Sequence, residues 1–135
     1  NQPEVTVVLS GMSAMEHVQD NLRIARDAQP NSLTSQDLAV VDKAKEFYLA
    51  KTKVECTGCD YCADCPGKVR ISAIFQMYND AYMYEELAGA KRWYQRITER
   101  DSDFSRCIDC GLCEELCPQH LEIRKHLQEF HQLNS

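Results

Sequence analysis

The chain has eight cysteines, and all of them lie in two short runs that each end in a Cys-Pro pair. The second run has cysteines at every third residue and a fourth after a longer gap, at Cys107, Cys110, Cys113 and Cys117. The first run is a near copy in which the last gap is one residue shorter, with Cys56, Cys59, Cys62 and Cys65. A cubane iron–sulfur core takes thiolates on several faces, so a chain wound around it returns a ligand about every third residue. The two runs therefore predict two [4Fe–4S] clusters.

The proline after each fourth cysteine predicts how the ligands are shared. Pro66 and Pro118 fix φ and have no backbone N–H, so the chain leaves the three-cysteine loop at these points. The fourth cysteine can then bind the other cluster, as it does in two-cluster ferredoxins. We predict one ligand set of Cys56, Cys59, Cys62 and Cys117, and a second of Cys107, Cys110, Cys113 and Cys65. The short gap before Cys65 leaves a local fourth ligand as an alternative.

Three other uses of the cysteines fit the spacing less well. Structural zinc takes two ligands from each of two separated knuckles and leaves no role for a third regularly spaced cysteine. Disulfides suit a secreted scaffold, but cysteines this close within one loop are poor bridging partners. A catalytic dithiol needs one Cys-x-x-Cys pair, whereas this chain has eight cysteines in matched runs.

The charge of the chain indicates what it binds. Its formal net charge is −6 over 135 residues. Each thiolate-bound [4Fe–4S]²⁺ core adds about two negative charges, so the loaded protein has roughly −10. We therefore expect a basic redox partner protein and no nucleic acid. No apolar run approaches the roughly 20 residues that span a bilayer, so we expect no membrane span and a soluble chain. Oxygen-sensitive clusters favour the cytoplasm.

The N-terminal residues predict a strand, a turn and a helix. Val5–Leu9 is a β-branched apolar run that ends at Ser10-Gly11 and is typical of a buried strand. A helical stretch follows that has Val18, Leu22, Ala25 and Ala28 on one face. Strand–turn–helix units belong to α/β proteins with parallel sheets, and the rest of the chain offers no further strands. We interpret this segment as the end of a larger domain.

The remaining elements are predicted to be helices. One begins at Thr34, which can cap it together with Asp37, and continues to Tyr48. Helical spacing of apolar residues predicts two core helices between the cysteine runs, at Ile71, Ile74, Phe75, Tyr78 and Tyr82 and at Leu87, Ala90, Tyr94 and Ile97. A last amphipathic helix has Ile123, Leu127 and Phe130. The fold class is therefore mainly α.

This combination resembles the aldo/keto reductases that have a ferredoxin-like 4Fe–4S domain at the C-terminus. The most specific part is Cys56-Thr57-Gly58-Cys59-Asp60-Tyr61-Cys62 through Cys65-Pro66, followed by a helix with Tyr78-Asn79. In that family the short gap before the fourth cysteine is the expected one. Val8–Ser13, with Glu16, Val18 and Asn21 after it, is similar to the last strand and helix of the family's (β/α)8 barrel.

The resemblance implies three domains and a cofactor. Residues 1–29 would be the last strand and helix of a truncated barrel, 30–54 a linking helix, and 55–135 an α-helical ferredoxin-like domain. The catalytic residues of that family lie on earlier strands, so no catalytic residue is assigned here and whether the chain is an enzyme stays open. The family contacts the adenosine phosphate end of NADP, in the larger protein, at the positions of Ser13, His17 and Asn21. An alternative is that Ser13 caps a helix with Glu16 and that the other two are surface residues.

Two functions follow from the predicted clusters. The first is electron transfer: the chain is a module of an aldo/keto reductase-like oxidoreductase and relays single electrons through two [4Fe–4S] clusters, between a redox partner protein and the missing barrel domain. The alternative is that the clusters are structural staples of a domain used for assembly or partner binding. Trp93 and the tyrosines Tyr78, Tyr82, Tyr84 and Tyr94 are expected in the core, and His120, His126 and His131 at the surface.

Overall fold

The computed structural model describes residues 1–134, and their regular structure is entirely helical. The elements are α1 (Met15–Asp27), α2 (Ser35–Lys51), α3 (Ile71–Met83), α4 (Leu87–Thr98), a 3-10 turn (Phe104–Arg106), α5 (Leu112–Glu115) and α6 (Ile123–Asn134). The chain divides into two compact units, Asn1–Glu46 and Phe47–Ser135. The prediction of a mainly helical protein is confirmed.

The predicted N-terminal strand does not form. Within residues 1–134 no strand is present, and the segment Val5–Leu9 is irregular, with Leu9 93% exposed. A strand needs a neighbouring strand to accept and donate its backbone hydrogen bonds, and this unit offers none. The helix predicted after it does form as α1, although none of its residues is buried.

The two predicted helix caps have different outcomes. At the start of α2 the Thr34 hydroxyl accepts from the Asp37 N–H (3.2 Å), and the Asp37 carboxylate accepts from the Thr34 N–H (2.9 Å), as predicted. At the start of α1 the capping position is Ala14, and no side chain caps the helix. The predicted Ser13–Glu16 capping box is therefore wrong, because the helix begins one residue later than the pattern requires.

The core lies in the second unit, where α3, α4 and α6 pack together. Most of the predicted apolar positions are buried, and Ile74 and Phe75 are both 0% exposed. Leu87 is 53% exposed, because it is the first residue of α4 and lies outside its packed face. The Phe130 ring on α6 contacts Tyr78 on α3 (centroids 4.8 Å apart) and Tyr94 on α4 (5.3 Å). Aromatic contacts at such distances add to the burial of apolar area, so this cluster fixes the three helices.

The other aromatic residues lie only in part at the core positions predicted for them. Tyr78 and Tyr94 are buried as predicted and Trp93 and Tyr82 are half-buried, but Tyr84 is 74% exposed, because it lies at the end of α3 beyond its packed face. Across residues 1–134, every helix is too short or too polar to cross a bilayer.

Candidate metal centre

The two cysteine runs fold into loops with the same backbone conformation. The second and fourth positions after the first cysteine of each run have positive φ. In the first run these are Gly58 (69°) and Asp60 (61°), and in the second they are Asp109 (55°) and Gly111 (78°). Glycine and aspartate are residue types that adopt this left-handed conformation readily. The near copy seen in the sequence is therefore a structural repeat.

The repeat continues through the Cys-Pro pairs into the helices that follow. The Lys68 N–H donates to the carbonyl oxygen of Cys65 (2.8 Å), and the His120 N–H donates to that of Cys117 (3.0 Å). Lys68 and His120 also share a positive φ, 60° and 52°. Helices α3 and α6 then begin at equivalent positions, so the one-residue difference in spacing lies before the fourth cysteine and alters nothing after it.

The cysteines surround two cavities, and each cavity is lined by cysteines from both runs. The first-run cavity is lined by Cys56, Cys59, Cys62 and Cys117. The second-run cavity is lined by Cys65, Cys107, Cys110 and Cys113, with Cys62 in the wall that the two cavities share. The fourth cysteine of each run thus lies at the cavity of the other run.

All eight cysteines are free thiols, and their exposure follows the repeat. The middle cysteines of the loops, Cys59 and Cys110, are exposed. The third ones, Cys62 and Cys113, are half-buried, and burial raises the pKa of the Cys62 thiol and raises that of Cys113 to about 11. Burial disfavours a lone thiolate, so a positively charged inorganic core is what would hold these groups ionised.

These cavities fit a [4Fe–4S] core by three observations. The first-run cavity presents four thiols and the second-run cavity five, and thiolates are the ligands of such clusters. The walls of the second-run cavity also include the buried apolar side chains of Val69 and Leu127, and Arg124, whose Nε is a buried donor without an acceptor.

A close backbone contact brings the first run against the segment that precedes the second. A Cβ added to Gly67 would overlap the carbonyl oxygen of Arg106, directly before Cys107. The Arg70 N–H donates to the carbonyl oxygen of Ser102 (3.0 Å) a little further along. Gly67 therefore allows the approach that brings Cys65 to the second-run cavity, a role that its sequence position alone does not indicate.

The entry into the first run is fixed by one amide side chain. The Asn79 Oδ1 on α3 accepts from the N–H groups of Lys53 (2.8 Å) and Val54 (2.9 Å), and its Nδ2 donates to the Val54 carbonyl (2.8 Å). Val54 is 2% exposed. Asn79 therefore satisfies backbone groups that would otherwise be buried without partners just before Cys56.

The predicted cofactor contacts lie in the first unit. Ser13 and His17 are exposed, and Asn21 is half-buried, with its Nδ2 donating to the Ser10 hydroxyl (3.1 Å). His17 and Asn21 are both on α1, and Ser13 precedes it. These three residues are thus near one another in sequence.

The histidines of the last segment match the predicted surface positions only in part. His120 is exposed, whereas His126 and His131 are half-buried. The His131 Nδ1 lies 2.8 Å from the Tyr94 hydroxyl and 3.7 Å from the carboxylate of Asp103, which is itself 1% exposed. The prediction was wrong for His131 because a polar contact across two helices leaves no trace in helical spacing.

Comparison with known proteins identifies one family. Residues 55–122 match the 4Fe-4S dicluster domain family, and this match covers both cysteine runs, helices α3 and α4 and the loops around both cavities. Comparison with curated proteins and with solved structures gives no match. The match spans half of the chain and agrees with the repeated loops and with the thiols at both cavities. The protein therefore belongs to the 4Fe-4S dicluster domain family and is an iron–sulfur protein.

Proposed function

We propose that this chain is an electron-transfer module that binds two [4Fe–4S] clusters with crossed ligands. Cys56, Cys59, Cys62 and Cys117 would hold one cluster, and Cys107, Cys110, Cys113 and Cys65 the other. The observation that supports the proposal is the lining of the two cavities: each has three cysteines of one run and the fourth of the other, and Cys62 lines both. This lining also favours the crossed ligands over the local alternative for Cys65.

The residues of the chain would bind, separate and shield the two cores. When bound, such clusters accept and release single electrons. Cys62 lies in the wall common to both cavities, so the two sites are adjacent. Val69 and Leu127 on one side and Phe75 and Ile123 on the other keep water away, and exclusion of water is one means by which a protein sets a potential.

The test is anaerobic reconstitution followed by iron and sulfide assays and EPR of the reduced protein. We expect about eight irons and eight sulfides per chain. Cys65→Ser should alter the same EPR signal as Cys110→Ser, and Cys117→Ser the same signal as Cys59→Ser. Cys110 and Cys59 are matched controls because they are exposed and occupy equivalent loop positions. If Cys65→Ser instead altered the signal that depends on Cys59, the crossed assignment would be wrong.

A second function is favoured by the position of the cysteines beside the core. Cys117 belongs to the buried core cluster, and five further cysteines pack against it, namely Cys56, Cys62, Cys65, Cys107 and Cys113. Metal binding could therefore supply much of the folding free energy, and the clusters would be staples of a domain used for assembly. A redox titration separates the two functions, because a relay must cycle reversibly within a physiological range of potential whereas a staple need not.

We also propose that the module belongs to a larger aldo/keto reductase-like oxidoreductase in the cytoplasm. The support is the cysteine motif with its short last gap and the Val8–Ser13 segment before α1. In this proposal residues 1–29 complete a barrel, 30–54 link it and 55–135 form the cluster domain. Ser13, His17 and Asn21 then contact NADP within the barrel. Equilibrium dialysis with NADPH tests this, and we expect binding by the larger protein that weakens when Asn21→Ala is introduced.

A further inference from the structure

The second-run cavity contains a cationic side chain for which the first-run cavity has no counterpart. Arg124 lines the second-run cavity together with Cys65 and Cys107. The equivalent position of the other repeat, seven residues after the last cysteine of its run, is Ser72, which lines the first-run cavity. Within residues 1–134, the lining of the first-run cavity includes no Lys or Arg. The two repeats have the same backbone but differ in charge at this point.

Two carboxylates of the second run hold the guanidinium in place. Arg124 Nη1 donates to Asp109 (2.7 Å), and Nη2 donates to Glu114 Oε2 (2.7 Å). The other Glu114 oxygen accepts from the Arg124 backbone N–H (3.0 Å). Asp109 lies between Cys107 and Cys110, and Glu114 directly follows Cys113. A planar guanidinium with two of its nitrogens fixed has little freedom to turn, so the position of Nε is set as well.

The remaining donor of this guanidinium has no acceptor. Among the side-chain nitrogen and oxygen atoms of residues 1–134, Arg124 Nε is the one that is buried and has no hydrogen-bond partner. A buried donor left without an acceptor is destabilising, and more so when it is charged. The cavity that Arg124 lines is bordered by thiol sulfurs and by apolar side chains such as Val69 and Leu127. The chemistry missing at Nε is therefore a sulfur acceptor within that cavity.

We propose that Arg124 Nε donates a hydrogen bond to a sulfur of the cluster bound by Cys65, Cys107, Cys110 and Cys113, and thereby raises its reduction potential above that of the other cluster. The inference rests on the proposed function. Reduction adds one electron and hence one negative charge, so a hydrogen-bond donor directed at a cluster sulfur stabilises the reduced form more than the oxidised form. With no counterpart at Ser72, the first-run site lacks this stabilisation. Electrons then collect on the second-run side.

The test is an EPR-monitored redox titration of the reconstituted chain with Arg124→Lys. Lysine keeps the positive charge beside Asp109 and Glu114 but removes the Nε donor. We expect one of the two midpoints to fall, so that the ratio of reduced to oxidised cluster at a fixed potential drops about tenfold, or about 59 mV for one electron. The affected signal should be the one that Cys110→Ser alters. Arg96→Lys, an exposed change on α4, is the matched control and should shift neither midpoint.

A second measurement does not depend on the variant binding its clusters. The unaltered protein, made with ¹⁵N-arginine, should show a ¹⁵N coupling in pulsed EPR of the reduced second-run cluster. This coupling should persist in Arg106→Lys and, where the variant loads, disappear in Arg124→Lys. The inference would be overturned by a missing coupling, or by midpoint potentials that are the same before and after Arg124→Lys. If the iron and sulfide content were full in that case, the proposed function would still stand. Absence of iron and sulfide from the unaltered protein would instead remove the proposed function itself.

Discussion

The first 46 residues and the rest of the chain have similar helical patterns but opposite burial. Helices α1 and α2 contain no buried residue, whereas α3 and α6 bury five and four residues. Apolar residues are frequent in both regions, yet Val8 is 81% exposed and Ile74 is 0% exposed. Helical spacing thus predicts a helix, but burial depends on other helices meeting its apolar face.

The region that has a core is also the region that has the cysteines. The first-run cavity is bordered by Phe75 and Ile123, which belong to the core, and the second-run cavity by Val69 and Leu127. Metal binding and helix packing therefore share the same side chains. A substitution in this region should affect stability and cluster content together, while the same substitution in the first region should affect neither.

The largest difference is expected for a matched pair of isoleucines. Ile74→Ala should lower the free energy of unfolding by about 2–5 kcal/mol, because it removes a fully buried side chain and leaves a cavity. Ile24→Ala on α1, where the side chain is 56% exposed, should change it by less than about 0.5 kcal/mol. Denaturant unfolding of the reconstituted protein measures both. Equal losses would mean that the first unit has a core of its own.

A matched pair of glycines tests the contact between the two runs. Gly67→Ala places a methyl group against the backbone of Arg106. The backbone must shift to remove this overlap, which should lower the free energy of unfolding by about 1–3 kcal/mol and displace Cys65. We expect iron content to fall toward that of a single cluster. Gly11→Ala meets no atom within 4 Å and should leave iron content unchanged. Full iron content in Gly67→Ala would show that the second site does not depend on this approach.

The sequence predicted the parts of the fold that depend on local spacing. Apolar residues at helical intervals gave α3, α4 and α6 with their buried faces, and the Thr34–Asp37 pair gave the start of α2. The strand predicted at Val5–Leu9 does not form, because β-branched residues favour a strand only where a neighbouring strand exists to pair with it. Local patterns are therefore sufficient for helices and insufficient for elements completed by distant residues.

The candidate site shows the same division. The eight cysteines stand out from spacing alone, and all of them line one or both of the two cavities. Gly67 and Arg124 gave no signal, and Asn79 was noted only as part of a family motif and not for its contact with Val54, because each acts on residues that are distant in the chain. A glycine after Cys-Pro and an arginine on a helix have many ordinary uses, and only the three-dimensional contacts distinguish these two.

A smaller effect is expected at the hydroxyl of Tyr94, which accepts from the Phe104 N–H (3.3 Å) next to the 3-10 turn. Burial raises the pKa of Tyr94 to about 12, and the nearby Asp103 adds to the rise. Because the folded pKa lies above the unfolded value of about 10, the neutral hydroxyl contributes to the free energy of unfolding. This contribution is complete below pH 10 and is lost as pH rises toward 12. Tyr94→Phe should lower the free energy of unfolding by about 1 kcal/mol near neutral pH, and it should remove the loss of stability at alkaline pH.

The control for Tyr94 is a tyrosine of the same unit that makes no such contact. Tyr84 is 74% exposed, so Tyr84→Phe should change neither stability nor its alkaline dependence. Denaturant unfolding at a series of pH values, compared between each variant and the unaltered protein, isolates the contribution of the single hydroxyl. An alkaline loss that is the same in Tyr94→Phe and in the unaltered protein would assign it to other groups.

The smallest effect is expected at the start of α2, in the region without a core. The hydrogen bonds from Thr34 hold the pKa of the Asp37 carboxyl below its usual value, so its stabilisation is present above the unfolded pKa of about 4 and is lost as pH falls through the lower folded pKa. Asp37→Ala should reduce amide hydrogen-exchange protection only in the first turn of α2. Asp42→Ala, at an exposed position of the same helix, should leave it unchanged. A loss of protection that spread to α3 would show that the two regions are energetically coupled.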